Sequence, residues 1–313
     1  MRKPTRRSSS LSCSAGKAAG LPLMLARRAV DAFDGLPDDL VIAVVAGVAA
    51  RAACTADLAA AALTCRRFRE LAAHPAVLSR ASAAAVAVRA SRWSEPAHQF
   101  LRRCAAAGNL HACYFLGMVR FYCLGARASG AALLARAAAS GHAASLYALA
   151  VVKFNGSGGG KSDKDPRAGV VLCAHAAWLG HLPALRELGH CLSDGYGARR
   201  DAAAGRRLLL HAAARELLLV PEDDAASRFM VEWWALAGKE ESMPGKGDDS
   251  NMDLRLCSNV RCGRPETRRH EFRRCSVCGT AIYCSRACQA LDWKRAHRAQ
   301  CAAVRWLAAG DPR

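Results

Sequence analysis

GNLHACYFLG at residues 108–117 returns as GHAASLYALA at 141–150 and as GHLPALRELG at 180–189, aligned without a gap. A short run of mostly small residues precedes each copy: AAA at 105–107, AAAS at 137–140 and AAWL at 176–179. The starts lie 33 and 39 residues apart, the second interval lengthened by a polar insert around 157–165. Recurrence at such a period marks a stacked repeat. Each copy predicts two helices, with small residues where the helices approach closely. One helix pair cannot bury its apolar face alone, so an α-solenoid over 98–217 is the expected fold.

Composition agrees with a mainly α chain. Alanine dominates, and few β-branched or aromatic runs alternate at period two, which leaves little sheet outside a C-terminal cysteine region. The 52% apolar fraction supplies a core despite 6% aromatics. The longest apolar run, 40–50, falls short of the ~20 residues needed to cross a bilayer.

The repeats resemble Sel-type repeats, relatives of the tetratricopeptide repeat, with Gly195, Tyr196, Gly197 and Asp201 on that family's inter-helix turn. The second copy carries NGSGGGKSDKD there instead. Its Gly160-Lys161-Ser162 invites a phosphate-loop reading, but Asn155 stands where that motif needs glycine and no apolar strand precedes it. The insert therefore reads as a loop. His111, His142 and His181 recur near the repeat starts and read as helix-boundary residues. One more helix at 218–237 is expected to cap the solenoid's end through Trp233 and Trp234, followed by a flexible linker at 238–253.

Beyond the linker, thiols and one imidazole fall at metal-binding spacings: Cys257 and Cys262, Cys275 and Cys278, Cys284 and Cys288, His297 and Cys301. Four pairs of such ligands suit two tetrahedral zinc ions. A saturated pair of ions leaves no open position for a catalytic water, so the predicted role is structural. Metal binding then supplies most of the folding free energy of so short a segment, on the order of 10–16 kcal/mol per zinc. His270 reads as a surface residue. The run YCSRACQALDWKRAHRAQC, preceded by CSNVRCGRPE and RRCSVC, closely resembles the MYND zinc finger, here 254–303 with a tail at 304–313. That resemblance implies a cross-brace: Cys257, Cys262, Cys284 and Cys288 on one ion, Cys275, Cys278, His297 and Cys301 on the other. It also implies that Gln289 and Trp293 contact short proline-containing peptides, with Trp293 as simple finger core the alternative.

Residues 31–80 carry a third resemblance. Pro37 with Asp38 and Asp39 starts a helix, and three short helices fit at 37–49, 56–63 and 64–73. Leu36-Pro37, Leu40, Val44-Val45 and then LTCRRF at 63–68 resemble an F-box, the helical module that docks the Skp adaptor of cullin-based ubiquitin ligases. Leu36, Pro37, Leu40, Val44 and Val45 are then the adaptor-docking face. A three-helix segment packed on its neighbour is the plainer reading.

Residues 1–30 hold seven Lys or Arg and no acid. This basic leader reads as disordered: a flexible tail, a nuclear import signal through RKPTRR, or a transit peptide. Cys13, Cys54, Cys65, Cys104, Cys113, Cys123, Cys173 and Cys191 sit singly and read as small buried hydrophobes in a reducing compartment. The net charge of +19 would fall to about +16 on loading two zinc ions onto seven thiolates. Its arginines are spread without interleaved aromatics, which favours solvated helix faces over a nucleic-acid surface.

No nucleophile–base pair, carboxylate dyad or open metal site stands out, so the chain does not read as an enzyme. The whole resembles a group of plant F-box proteins with a MYND finger. It implies a receptor that docks the Skp adaptor and cullin complex and recruits target proteins through repeats and finger, in nucleus and/or cytoplasm. A transcriptional or signalling scaffold that uses the finger for proline-rich peptides is the alternative. Lysine methyltransferase activity has no matching catalytic text.

Overall fold

The computed structural model of the chain describes residues 33, 35–159, 161–218, 224–240 and 255–301. The basic leader, most of the 238–253 linker and the 304–313 tail lie outside the described residues. The chain divides between residues 37 and 38 into two units. In the first, the Leu36 N–H donates to the Phe33 carbonyl at 3.1 Å in a turn, with Leu36 half-buried and Pro37 exposed.

The second unit opens with α1 (Asp38–Arg51), α2 (Thr55–Leu63) and α3 (Arg66–Ala72). Asp38 and Asp39 in the first turn of α1 and Arg51 in its last complement the helix dipole. Val41, Val45, Ala46 and Ala49 form its buried stripe. Helix α2 starts where the Asp57 carboxylate accepts the N–H groups of Ala53 and Cys54 at 2.6 and 3.2 Å. Cys65 caps α3, its sulfur accepting the Phe68 N–H at 3.4 Å, and Arg67 ties α3 to Asp38 at 2.7 Å. Cys54 and Cys65 are both exposed, contrary to the expectation of small buried hydrophobes: the Cys54 thiol donates to the Asp57 carboxylate at 3.5 Å and the Cys65 sulfur serves a helix start. Cys104, Cys113, Cys173 and Cys191 are buried, and Cys123 is half-buried.

After α4 (Pro75–Leu78) and α5 (Glu95–Ala106), the repeats unfold as α6 (Leu110–Tyr122), α7 (Arg127–Ala139), α8 (Ala143–Asn155), α9 (Pro166–Trp178), α10 (Leu182–Asp194) and α11 (Ala202–Leu218). The repeated glycines Gly108, Gly141 and Gly180 take φ of +90°, +80° and +89°, a conformation only glycine adopts freely, and so stop one helix before the next. The residue that follows caps the new helix. Asn109, His142 and His181 each accept an N–H three residues on, from Ala112, Ser145 and Ala184, at 2.8, 3.3 and 3.3 Å. The recurring cap is thus Asn109, not His111. Within a pair the helices touch backbone to backbone: a Cβ on Gly130 of α7 would lie 2.7 Å from the Gly117 carbonyl oxygen of α6.

Helix α12 (Ala225–Glu240) corrects the expected terminal cap. It starts at 225, not 218, and packs on α6 of the first helix pair and on the turn at 90–92. The reason is aromatic: Phe229 meets Phe115 and Trp93 edge-on, with ring centroids 5.5 and 5.3 Å away, and stacks on Trp233 at 5.8 Å.

The C-terminal region is small and irregular. Strands β1 (Arg273–Arg274) and β2 (Ile282–Tyr283) pair antiparallel, Arg273 opposite Tyr283. Then α13 (Arg286–Asp292), a π turn (Trp293–His297) and α14 (Arg298–Gln300) run on continuously. This region packs on α8 and α10, and its buried residues share one cluster with Leu146, Phe154 and Cys173. The first helices of the pairs, α6, α8 and α10, are thus covered by the chain's own α12 and C-terminal region instead of standing open as a scaffold. No described helix is long and apolar enough to cross a membrane.

Candidate metal centre and docking surfaces

Two groups of ligand atoms gather in the C-terminal region: Cys257, Cys262, Cys284 and Cys288, and separately Cys275, Cys278, His297 and Cys301, each within 4.8 Å of its companions. In the first, Cys262 and Cys284 sulfurs lie 3.6 Å apart and Cys284 and Cys288 3.5 Å. In the second, Cys275 to Cys301 is 3.9 Å and Cys278 Sγ to His297 Nε2 is 3.6 Å. A tetrahedron with zinc–sulfur bonds of ~2.3 Å has sulfur–sulfur edges of ~3.8 Å and sulfur–nitrogen edges of ~3.6 Å. Both the donor set and its spacing fit zinc.

Local structure explains the gathering. The Gly279 N–H donates to the Cys275 carbonyl at 2.9 Å, closing the knuckle that turns Cys275 and Cys278 together. Cys284 directly follows β2, and Cys288 lies in the first turn of α13, whose start is capped by Ser285 accepting the Cys288 N–H at 3.1 Å. Tyr283, fully buried, donates its hydroxyl to Asp292 at 2.8 Å and sets its ring edge-on to His297. His270 stays exposed.

Arg264 is a residue the sequence reading passed over. Its buried guanidinium donates to Cys284 Sγ at 3.7 Å and lies 5.9 Å from the ring centres of both Tyr122 and Tyr147. Four thiolates around a divalent ion carry two net negative charges, and a buried cation beside them offsets half. No spacing rule flags it, because its partners come from α6 and α8.

The docking is periodic. Tyr114 and Tyr147 occupy the same repeat position, and the hydroxyl of each reaches the cap of a docked helix: Asp224 before α12 at 3.0 Å, Ser285 before α13 at 3.1 Å. The capping histidine of the next pair lies tilted against each tyrosine ring, His142 on Tyr114 at 5.1 Å and His181 on Tyr147 at 4.9 Å. Burial holds both imidazoles down at about 4, neutral and able to accept. Asn155 Nδ2 donates to the Cys284 carbonyl at 2.9 Å, and buried Glu187 accepts the Ala287 N–H at 2.8 Å. Burial raises the Glu187 carboxyl above its usual range, an effect its backbone donors oppose. At the rim Glu216 of α11 joins Arg186 and Lys294 at 2.6 and 2.8 Å.

Of the expected adaptor-docking residues, Leu40 and Val44 stand 49% and 46% exposed on α1. Val45 does not join them: at 1% exposure it faces the module's own core, since consecutive helix positions point about 100° apart. Val48, 41% exposed, takes its place in an i, i+4, i+8 stripe. On the C-terminal helix, Gln289 is half-buried and Trp293 is 38% exposed, one turn apart, with the Trp293 ring edge-on to His297.

Comparisons with known proteins converge on these parts. Residues 257–301 match the MYND finger family, and 84–176 match plant tetratrico peptide repeats. F-box protein At1g67340 of Arabidopsis thaliana is 50% identical over 324 residues, covering 90% of this chain and 83% of that protein. F-box protein At5g50450 of the same plant is 47% identical over 302 residues, covering 88% and 87%. Among solved structures, a Sel1 repeat protein from Oxalobacter formigenes is 21% identical, covers 42% of this chain and 95% of its own, and superposes with a TM-score of 0.35. With half of its residues shared along nearly the whole length of such relatives, the chain belongs to the family of these F-box proteins with plant tetratricopeptide-type repeats and a MYND finger.

Proposed function

We propose that the chain is the substrate receptor of a Skp–cullin–F-box ubiquitin ligase, performing no chemistry itself. The observation that carries this is the stripe of Leu40, Val44 and Val48, three large apolar side chains left open on one face of α1 in a chain whose relatives are named F-box proteins. Burying the exposed halves of three such side chains is worth about 2–4 kcal/mol, enough to bias docking but not to complete it.

In this reading the finger holds two zinc ions on the two ligand groups, and Gln289 and Trp293 present a face to proline-containing target segments. An extended proline segment is preordered and suits an aromatic face. The basic leader and the many reduced thiols suit work in the nucleus and/or cytoplasm.

The test is co-purification of the zinc-loaded chain with a plant-type Skp adaptor, beside a Leu40→Glu/Val44→Glu variant. Both positions are exposed, so fold and zinc content should hold. The wild type is expected to bind and the variant to lose at least tenfold. An adaptor that ignores the wild type sinks the receptor reading and leaves a peptide-binding scaffold.

A further inference from the structure

A cleft of about 1110 Å3 opens between α2, α3, α5 and α12, on residues that the receptor reading does not use. Its walls explain its size. Ala59, Ala62, Ala73 and Ala97 stand where larger side chains would close the gap, while the half-buried Val88, Phe100 and Val231 give it an apolar floor.

The cleft's charge is one-sided. Six arginines line it, Arg69, Arg89, Arg92, Arg103, Arg228 and Arg261, against two acids. Both acids are engaged: Asp224 accepts from Tyr114 at 3.0 Å and from the Ser227 N–H at 2.9 Å, and Glu232 accepts the Ala90 and Ser91 N–H groups at 3.2 Å. Arg89 approaches Glu232, and Arg103 donates to the Ala73 carbonyl. Arg69, Arg92 and Arg228 are exposed and make no side-chain hydrogen bond or ion pair with any described residue. An apolar floor beneath three unengaged cations is complementary to an amphipathic, acidic occupant.

Size separates the candidates. Small-molecule pockets run to ~1,000 Å3 and enclose their ligand, whereas a helix ~10 Å across fills this volume with roughly nine residues. Phe100 is the one half-open aromatic ring among the lining residues, too little for successive bases to stack on. We propose that this cleft seats an acidic amphipathic helix of a partner protein, its apolar face on Val88, Phe100 and Val231 and its carboxylates on Arg69, Arg92 and Arg228. The site is distinct from the α1 stripe and from the Gln289–Trp293 face, so one chain could hold partners at all three.

The experiment pans a displayed library of 12-residue helical peptides against the zinc-loaded full chain and measures the enriched peptides by fluorescence anisotropy. Enrichment is expected for Leu or Phe at i, i+3, i+4 and i+7 with Asp or Glu on the opposite face. Binding should weaken at least tenfold in Arg69→Glu/Arg228→Glu, whose changes are on the surface, and in Ala62→Trp, which fills the cleft. It should also weaken at high salt and persist in Leu40→Glu/Val44→Glu, which keeps this test separate from adaptor docking. Unchanged helical content and zinc stoichiometry certify the variants. Enrichment of neutral or basic peptides, no enrichment, or binding that survives both cleft variants overturns the proposal. So does a dimer in sedimentation that Ala62→Trp dissociates, since the occupant is then a second copy.

Discussion

Asn155→Ala removes one donor from the seam between the repeats and the finger. Asn155 is the last residue of α8, 8% exposed, and its Nδ2 lies 2.9 Å from the carbonyl of Cys284, a residue of the four-cysteine group. Truncation leaves a buried carbonyl unsatisfied, which costs about 1–3 kcal/mol. That cost exists only while the finger is folded, and the finger folds on metal. The expectation is therefore conditional: urea midpoints of the zinc-loaded variant fall by the equivalent of about 1–3 kcal/mol, whereas with a strong chelator wild type and variant unfold together. The four measurements form a cycle whose coupling is the zinc-dependent part of the seam. An equal loss with and without zinc would refute the reasoning, because the Asn155 contact would then not depend on a folded finger.

Other expectations follow from single contacts. The folded imidazoles of His142 and His181 sit at about 4 against an unfolded value near 6.5. The unfolded chain thus takes up protons first, so stability should be full above about pH 6.5 and fall as pH drops toward 4, by about 1–3 kcal/mol per histidine. His142→Asn/His181→Asn, which copies the Asn109 cap, should flatten urea midpoints between pH 6.5 and 4.5; an unchanged slope would assign the loss to other groups. Gly130→Val places its Cβ 2.7 Å from the Gly117 oxygen and should cost about 3 kcal/mol or more, while Gly47→Ala meets nothing closer than 3.9 Å and should gain about 0.5–1 kcal/mol. Thermal melts decide both signs. Arg264→Met should weaken one zinc about 10–100-fold in chelator competition and leave the other alone; equal weakening of both would refute the countercharge role.

Local signals were legible and long-range ones were not. The helix pairs follow from the recurring small residues and the Gly-Asn or Gly-His boundaries, because a glycine stop and a capping side chain act within four residues. The ligand gathering was readable for the same reason, since knuckle and helix-turn spacing are local geometry. Val45 was misplaced because Val44 and Val45 are equally apolar as text, and only the buried stripe of Val41, Val45 and Ala49 tells them apart. Helix α12 was sent to the wrong end because its aromatic residues name no partner; Phe115 and Trp93 lie more than a hundred positions earlier. A signal did exist. Tyrosine recurs at 114 and 147 in the same repeat position, and a repeated buried hydroxyl needs a repeated partner.

That repeated partner changes what the repeats can be. Asp224 and Ser285 each cap a helix and each pair with the hydroxyl of one of the two tyrosines, so α12 and α13 lie on the first-helix face in step with the repeat. Their starts are fixed by the same periodicity that builds the solenoid. The face formed by α6, α8 and α10 is then interior surface, and target recruitment by the repeats has to use the second helices instead, where Val171, Trp178 and Leu210 are exposed. The finger gains what the repeats lose. A finger on a flexible linker would dilute any bound segment over the volume its tether sweeps. Gripped by Asn155, Glu187 and Glu216, it holds the Gln289–Trp293 face at a fixed distance from α1, a fixity on which the proposed receptor role would depend. In that proposal zinc, by folding the finger, would set the geometry of presentation as well as the stability of the seam.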